Sequence, residues 1–167
     1  MNDLTGTLLL GLGNPLMGDD GAGLVALERL RAAPLPAGVT LADGGTWGLN
    51  LLTAVEGCRR LLVIDAVRSG QPPGTVVILE REEIPRFLTT KLSPHQIDLR
   101  EVLALAEWRG TLPEETVVVG IEPAVVELRT GLSASVAAGM DALLTAVHAR
   151  LELWRAVPTP VGMVPGA

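Results

Sequence analysis

The chain has 167 residues, one domain's worth, and its 13 Lys+Arg against 19 Asp+Glu leave a net charge of −6. That balance excludes a nucleic-acid binder that works by neutralising phosphates, and 2% aromatic residues exclude a base-stacking surface. A hydrophobic content of 48% excludes a disordered chain, and the lone Cys58 excludes an intrachain disulfide and a cysteine-rich zinc site.

Apolar runs alternate with amphipathic segments. Thr7–Leu12 reads as a buried strand and residues 20–32 as a helix. Residues 39–42 form a second strand, and residues 49–55 a short helix that stops at Gly57. Arg60–Ala66 is a third strand, apolar enough to be central. Residues 75–80 form a fourth strand and residues 97–108 a helix with Leu99, Val102, Leu103 and Ala106 on one face. Residues 116–121 form the fifth strand. Residues 133–155 form a long helix whose stripe is Val136, Met140, Leu143, Val147, Leu151 and Trp154. Three prolines and two glycines in residues 157–167 predict a loose tail after a domain of residues 1–156.

Strands separated by helices predict an α/β fold with a mostly parallel, twisted sheet covered on both faces. The link between Ala66 and Thr75 is too short for a crossover helix and holds Pro72, Pro73 and Gly74. It predicts the third and fourth strands as antiparallel neighbours. No basic stretch precedes the first apolar run, so no signal peptide is expected. Charged residues or prolines interrupt each apolar run before it could span a bilayer. A soluble, cytoplasmic protein with no membrane partner is the expectation.

In such a sheet, chemistry gathers where strands end and helices begin. Three junctions carry side chains suited to metals or to acid–base work. The first, residues 11–21, has Gly13 and Gly18 at P-loop spacing, but Asp19 and Asp20 follow where Lys and Ser/Thr would bind a phosphate. Those aspartates read either as caps of the following helix or, since one suffices for a cap, as a cap and a cation ligand. The second junction is Asp65 at the end of the third strand, either a turn-starting residue or a carboxylate in the crevice. The third is Ser93-Pro94-His95-Gln96, a capping-box pattern that puts His95 in the first turn of its helix. The positive helix end disfavours imidazolium there and keeps His95 in the metal-binding form. His148 falls mid-helix and reads as structural or merely exposed. Cys58 has no histidine placed beside it, and no Gly-x-Ser-x-Gly offers a hydrolase serine. Two carboxylates and an imidazole, Asp20, Asp65 and His95, suit a first-row divalent metal with open positions.

From about Thr7 to about Leu151 the chain resembles the hydrogenase maturation proteases. The likeness is carried by Gly11-Leu12-Gly13-Asn14 with Asp19-Asp20-Gly21, by Asp43-Gly44-Gly45-Thr46 with Gly48, and by Ile64-Asp65-Ala66. Pro73-Gly74-Thr75, Ser93-x-His95-Gln96 and Gly120-Ile121-Glu122-Pro123 complete it. The resemblance implies a single three-layer α/β/α domain with a five-stranded mixed sheet. It implies an endopeptidase that trims the C-terminal extension of the nickel–iron hydrogenase large-subunit precursor. It implies Asp20, Asp65 and His95 as both the metal contacts and the catalytic set. Nickel would come with the precursor, so no tightly bound cofactor of its own is expected, and a monomer would suffice. Asp20 stands where part of the family has glutamate, which leaves Asp19 able to share the role. Two other activities stay open on these residues. One is a nickel carrier that delivers without cutting. The other is a peptidyl-tRNA hydrolase-like esterase, suggested by Gly11-Leu12-Gly13-Asn14-Pro15 but lacking that family's Arg-His-Asn stretch. A Rossmann-like nucleotide module is weakened by Asp19-Asp20.

Overall fold

The computed structural model describes residues 6–45, 48–84 and 99–157. Five strands form one sheet: β1 (Thr7–Leu12), β2 (Val39–Gly45), β3 (Arg60–Ala66), β4 (Val76–Glu80) and β5 (Glu115–Ile121). Their order is β2-β1-β3-β5-β4, parallel except for β4. Among the described residues four α-helices cover it: α1 (Ala22–Arg31), α2 (Leu51–Glu56), α3 (Leu99–Trp108) and α4 (Ala134–Ala156).

Alternation along the strands explains the layers. Leu9, Leu62, Ile64, Val117 and Val119 face one side, where α1 and α4 bury Ala26, Leu30, Met140, Leu143 and Val147. Leu8, Leu10, Leu61, Val63 and Val118 face the other, against Leu51 and Val55 of α2 and Val102 and Ala106 of α3. Both faces of β1, β3 and β5 are therefore dry, as unbroken apolar runs require. Each fully buried leucine contributes about 1.5–3 kcal/mol of transfer free energy, which offsets part of the chain's lost entropy.

One pairing differs from the sequence reading. β4 is antiparallel, as its short connection suggests, but it pairs with β5 rather than β3. β5 is inserted between them because Thr116 to Ile121 are buried on both faces, whereas Ile78 of β4 is 45% exposed. A half-wet strand belongs at the edge. Two boundaries also shift. The expected helix over 20–32 opens as a 3-10 turn, Gly18–Gly21, and becomes α-helical at Ala22. β2 runs on to Gly45, with Asp43 opposite Gly11 and an irregular step before Gly45 meets Leu12.

Glycines let α1 approach the sheet where β1 and β3 end. A Cβ on Gly23 would lie 2.2 Å from the Ile64 carbonyl oxygen and 2.4 Å from that of Leu12. These are backbone atoms of two central strands and have nowhere to go. Gly23→Ala is therefore expected to lower stability by about 1–3 kcal/mol or more. Urea unfolding of the variant beside the parent measures this, and an unchanged midpoint would contradict the tight contact.

Candidate active site

Leu12 ends β1, and Gly13 turns the chain with φ +122°. A Cβ on Gly13 would lie 1.8 Å from the Asp20 carbonyl oxygen, so only glycine lets this loop fold beneath Asp20. The Asn14 side chain tightens the loop by accepting from the Leu16 N–H at 3.0 Å. The Asn14 N–H donates to Asp20 Oδ2 at 2.9 Å, which holds this carboxyl over the carboxyl end of β1. Asp20 is half-buried. Its burial raises the pKa, and the Asn14 N–H lowers it by less.

Asp65 is the second carboxyl. It lies near the end of β3, opposite Gly120 of β5, and its Oδ1 accepts from the Ala66 N–H at 2.8 Å. Solvent still reaches it, but protein surrounds it on most sides. Burial first, and then the nearby Asp20 charge, push it up to about 8, against the Ala66 hydrogen bond. The chain leaves β1 towards β2 on one side and leaves β3 towards β4 and β5 on the other. Asp20 and Asp65 thus flank the point where strand order reverses, where open α/β sheets place their ligands.

Asp19 takes a different course. It is fully buried. Its Oδ1 accepts from the Ser133 N–H at 2.7 Å, and its Oδ2 from the Ser133 hydroxyl at 2.8 Å and the Ala124 and Val125 N–H groups at 2.9 Å each. Burial raises its pKa, but these donors outweigh that and hold it below the usual carboxylate range. Neither aspartate caps α1, whose N-cap is Gly21 with no side-chain bond. The capping reading therefore fails, because Asp19 serves the loop after β5 and Asp20 serves the loop after β1. Asp19 spends four hydrogen bonds on the segment after β5, whereas Asp20 spends one on the loop after β1.

His95, with Ser93 and Gln96, lies outside the described residues, as does 158–167 of the expected tail. Among the described residues no group of three His, Cys, Asp or Glu could hold a metal, so the site they display is the Asp20–Asp65 pair. Four residues after His95, α3 begins. It runs from the carboxyl end of the sheet, where it meets the Gly48–Asn50 turn, to the far end, where Glu56 binds Arg109 and the Thr111 hydroxyl. His148 is exposed on α4. The Cys58 thiol faces the Val55 carbonyl at 3.3 Å, and burial pushes it up to about 11, so it is no nucleophile at neutral pH.

Glu122 enters the sequence reading only as part of a motif, with no role assigned to it there. Its Oε2 accepts from both the N–H and the hydroxyl of Ser69 at 2.6 Å, which ties the loop after β3 to the end of β5. The Glu122 N–H donates to Thr75 and its carbonyl accepts from Gly74, closing the same loop. Glu-Pro after an apolar strand was the visible signal, but the partner 53 residues away was not.

A family model described as hydrogenase maturation protease matches residues 25–150. The hydrogenase 2 maturation protease of Escherichia coli is 38% identical over 147 residues, 87% of this chain and 90% of that protein. The HupM hydrogenase expression/formation protein of Azotobacter chroococcum is 43% identical over 122 residues, 72% of this chain but 58% of that longer relative. Among solved structures, the hydrogenase maturating endopeptidase HybD of E. coli superposes with a TM-score of 0.81 at 37% identity. The match covers 88% of this chain and 92% of that one. The nickel–iron hydrogenase maturation protease HybD of Thermococcus kodakarensis gives 0.64 at 29% identity, covering 87% and 98%.

Two outcomes follow from these geometries. Asp19→Ala strands three N–H groups, each costing about 1–3 kcal/mol, so a loss of roughly 3 kcal/mol or more is expected in urea unfolding. A loss under about 1 kcal/mol would mean that water replaces the carboxylate. For Asp65, the folded pKa of about 8 lies above the ordinary value of 3.8. Its contribution to stability is therefore full below about pH 4, declines as pH rises, and is lost above about pH 8. Asp65→Asn removes that decline. The variant should gain on the parent as pH rises from 5 to 9, by at least about 1 kcal/mol or 2–4 °C in Tm at the alkaline end. Parallel melting curves across that range would show no such divergence if Asp65 ionised normally.

Proposed function

The chain belongs to the hydrogenase maturation protease family, a family of peptide-bond hydrolases, and on that premise we propose that it removes the C-terminal extension of a nickel–iron hydrogenase large-subunit precursor after nickel insertion. The observation that carries this is the carboxylate pair at the switch point. Two carboxyls lie near enough for one charge to act on the other, and burial, with the Asp20 charge as well for Asp65, opposes their ionisation. A divalent cation relieves both penalties at once. Asp20 and Asp65 dock on the nickel that the precursor brings, and His95 supplies the third contact. The start of α3 at the same end of the sheet supports placing His95 there.

Asp65, largely protonated at neutral pH in the free protein, releases its proton as the cation arrives. Asp20 keeps its hydrogen bond from Asn14 and stays aimed across the mouth of β1. The chemistry that a divalent metal supplies in such a place is polarisation of a peptide carbonyl or of water. Three protein contacts leave open positions for the precursor's own ligands, so the metal remains with the substrate. The protein acts in the cytoplasm, where precursor assembly would meet it, and as a monomer, since one chain carries the whole set. Among the described residues no helix is long and apolar enough to cross a membrane.

Nickel-loaded and nickel-free precursor, incubated with the protein and read by product mass, test the proposal. One defined truncated product from the loaded form alone is expected. His95→Ala should stay folded by circular dichroism and lose at least about 100-fold in processing. His148→Ala should process normally, because that residue is exposed on the flank of α4. Full processing by folded His95→Ala would remove the histidine from the mechanism. Equal cleavage of nickel-free precursor would remove metal docking, and nickel transfer without a truncated product would make the protein a carrier.

A further inference from the structure

The loops after β1 and β5 are stitched into one ridge beside the carboxylate pair. The Gly18 N–H donates to the Arg129 carbonyl at 2.9 Å and the Arg129 N–H to the Leu16 carbonyl at 3.0 Å, so Met17 and Arg129 form a parallel bridge. Asp19 fastens the underside. The backbone of the ridge is thus held, while its side chains stand out in solvent: Leu16 is 55% exposed and Leu128 83%.

Among the described residues Arg129 is, with Arg68 and Arg100, one of three arginines without a carboxylate partner, and of the three it alone is rooted on this ridge. Eight arginines are ion-paired with carboxylates. The exposed Arg129 guanidinium has no such partner among the described residues, and Glu127 on the same loop does not bond to it. Its stem packs over Gly18, where its Cγ would lie 3.2 Å from an added Cβ. Gly18 precedes Asp20 by two residues, a backbone span of at most about 7 Å. An extended peptide advances about 3.3 Å per residue, and an arginine side chain reaches roughly as far as two residues of it. A guanidinium rooted there therefore meets a peptide some two to four residues from a bond held at Asp20 and Asp65.

We infer that this ridge is a specificity contact for the polypeptide substrate: Arg129 takes a side-chain carboxylate within about four residues of the cleaved bond, and Leu16 and Leu128 cover an apolar side chain beside it. The inference rests on the endopeptidase reading. A planar, permanently charged fork suits a carboxylate bidentately. The acidic surroundings supply it none, and a substrate that brings a cation to the carboxylate pair complements the ridge by bringing an anion next to it. Two exposed leucines flanking an arginine also match the composition of interface centres, where arginine is enriched and water is excluded.

The test is steady-state cleavage of nickel-loaded precursor by the full chain. Arg129→Ala should raise KM about tenfold with little change in kcat, since a charge-assisted contact away from the reacting bond is lost. Arg129→Lys should recover part of the loss. Arg155→Ala, at the far end of α4, should match the parent. Precursor with Asp and Glu within four residues of the bond changed to Asn and Gln should show the same rise with the unmodified chain, and no further rise with Arg129→Ala. An unchanged KM for Arg129→Ala, or two losses that multiply, would overturn the inference and leave the endopeptidase reading standing. A loss that instead follows amidation of the precursor's C-terminus would overturn the side-chain assignment. An unmodified chain that cleaves no loaded precursor would sink the endopeptidase reading, and the inference with it.

Discussion

A charge removed from water needs donors, and the buried Asp19 carboxylate finds four of them in the segment that follows β5. Leaving such a charge unpaired would cost several kcal/mol, so the loops after β1 and β5 cannot separate while the protein is folded. Ser133 extends the constraint. Its hydroxyl donates to Asp19 and accepts from the Val136 N–H at 3.4 Å, which caps α4. The start of the longest helix is therefore set by an aspartate 114 residues earlier, and the α4 stripe from Val136 to Trp154 falls in register on the sheet.

The same constraint divides the labour between two adjacent aspartates. With Asp19 drawn inward to the β5 loop, Asp20 is left facing the carboxyl end of β1. One is stabilised as an anion and the other is discouraged from being one. Asp65 is discouraged further, by burial and by Asp20 itself. A site that opposes its own ionisation is a local destabilisation, tolerated because β1, β3 and β5 bury both faces beneath it. Such a cost is what makes the pair a candidate site under the proposed function.

The two ends of the sheet contrast. At the amino ends of the parallel strands, Arg60 is buried. It donates to Glu115 at 2.9 Å and to the Trp154 carbonyl at 3.2 Å, with the indole 5.8 Å away. That end is tied shut. At the carboxyl ends the loops are held by Asp19 and Glu122, yet they leave Asp20 and Asp65 partly open and Leu16 and Arg129 facing outward. Rigid backbone with free side chains is what a recognition surface requires.

The sequence by itself determined the alternation of strands and helices, the central place of β3 and the stripe of α4. These follow from periodicity and from unbroken apolar runs, which are local properties. It also marked Asp65, a lone carboxyl at the end of a dry strand, and the Asp19-Asp20 pair in the turn after β1. Only the tertiary structure decided which aspartate is scaffold and which faces the crevice. Adjacent residues of identical type carry no local signal, and the donors that separate them come from residues 124–133. It decided likewise that β5 lies between β3 and β4, since strand order depends on which strand has two faces to bury rather than on which follows next. Asp19, Glu122 and Arg129 acquire their roles from partners, or from the lack of one, far along the chain. Long-range hydrogen bonding and charge neutralisation are settled only when the loops meet.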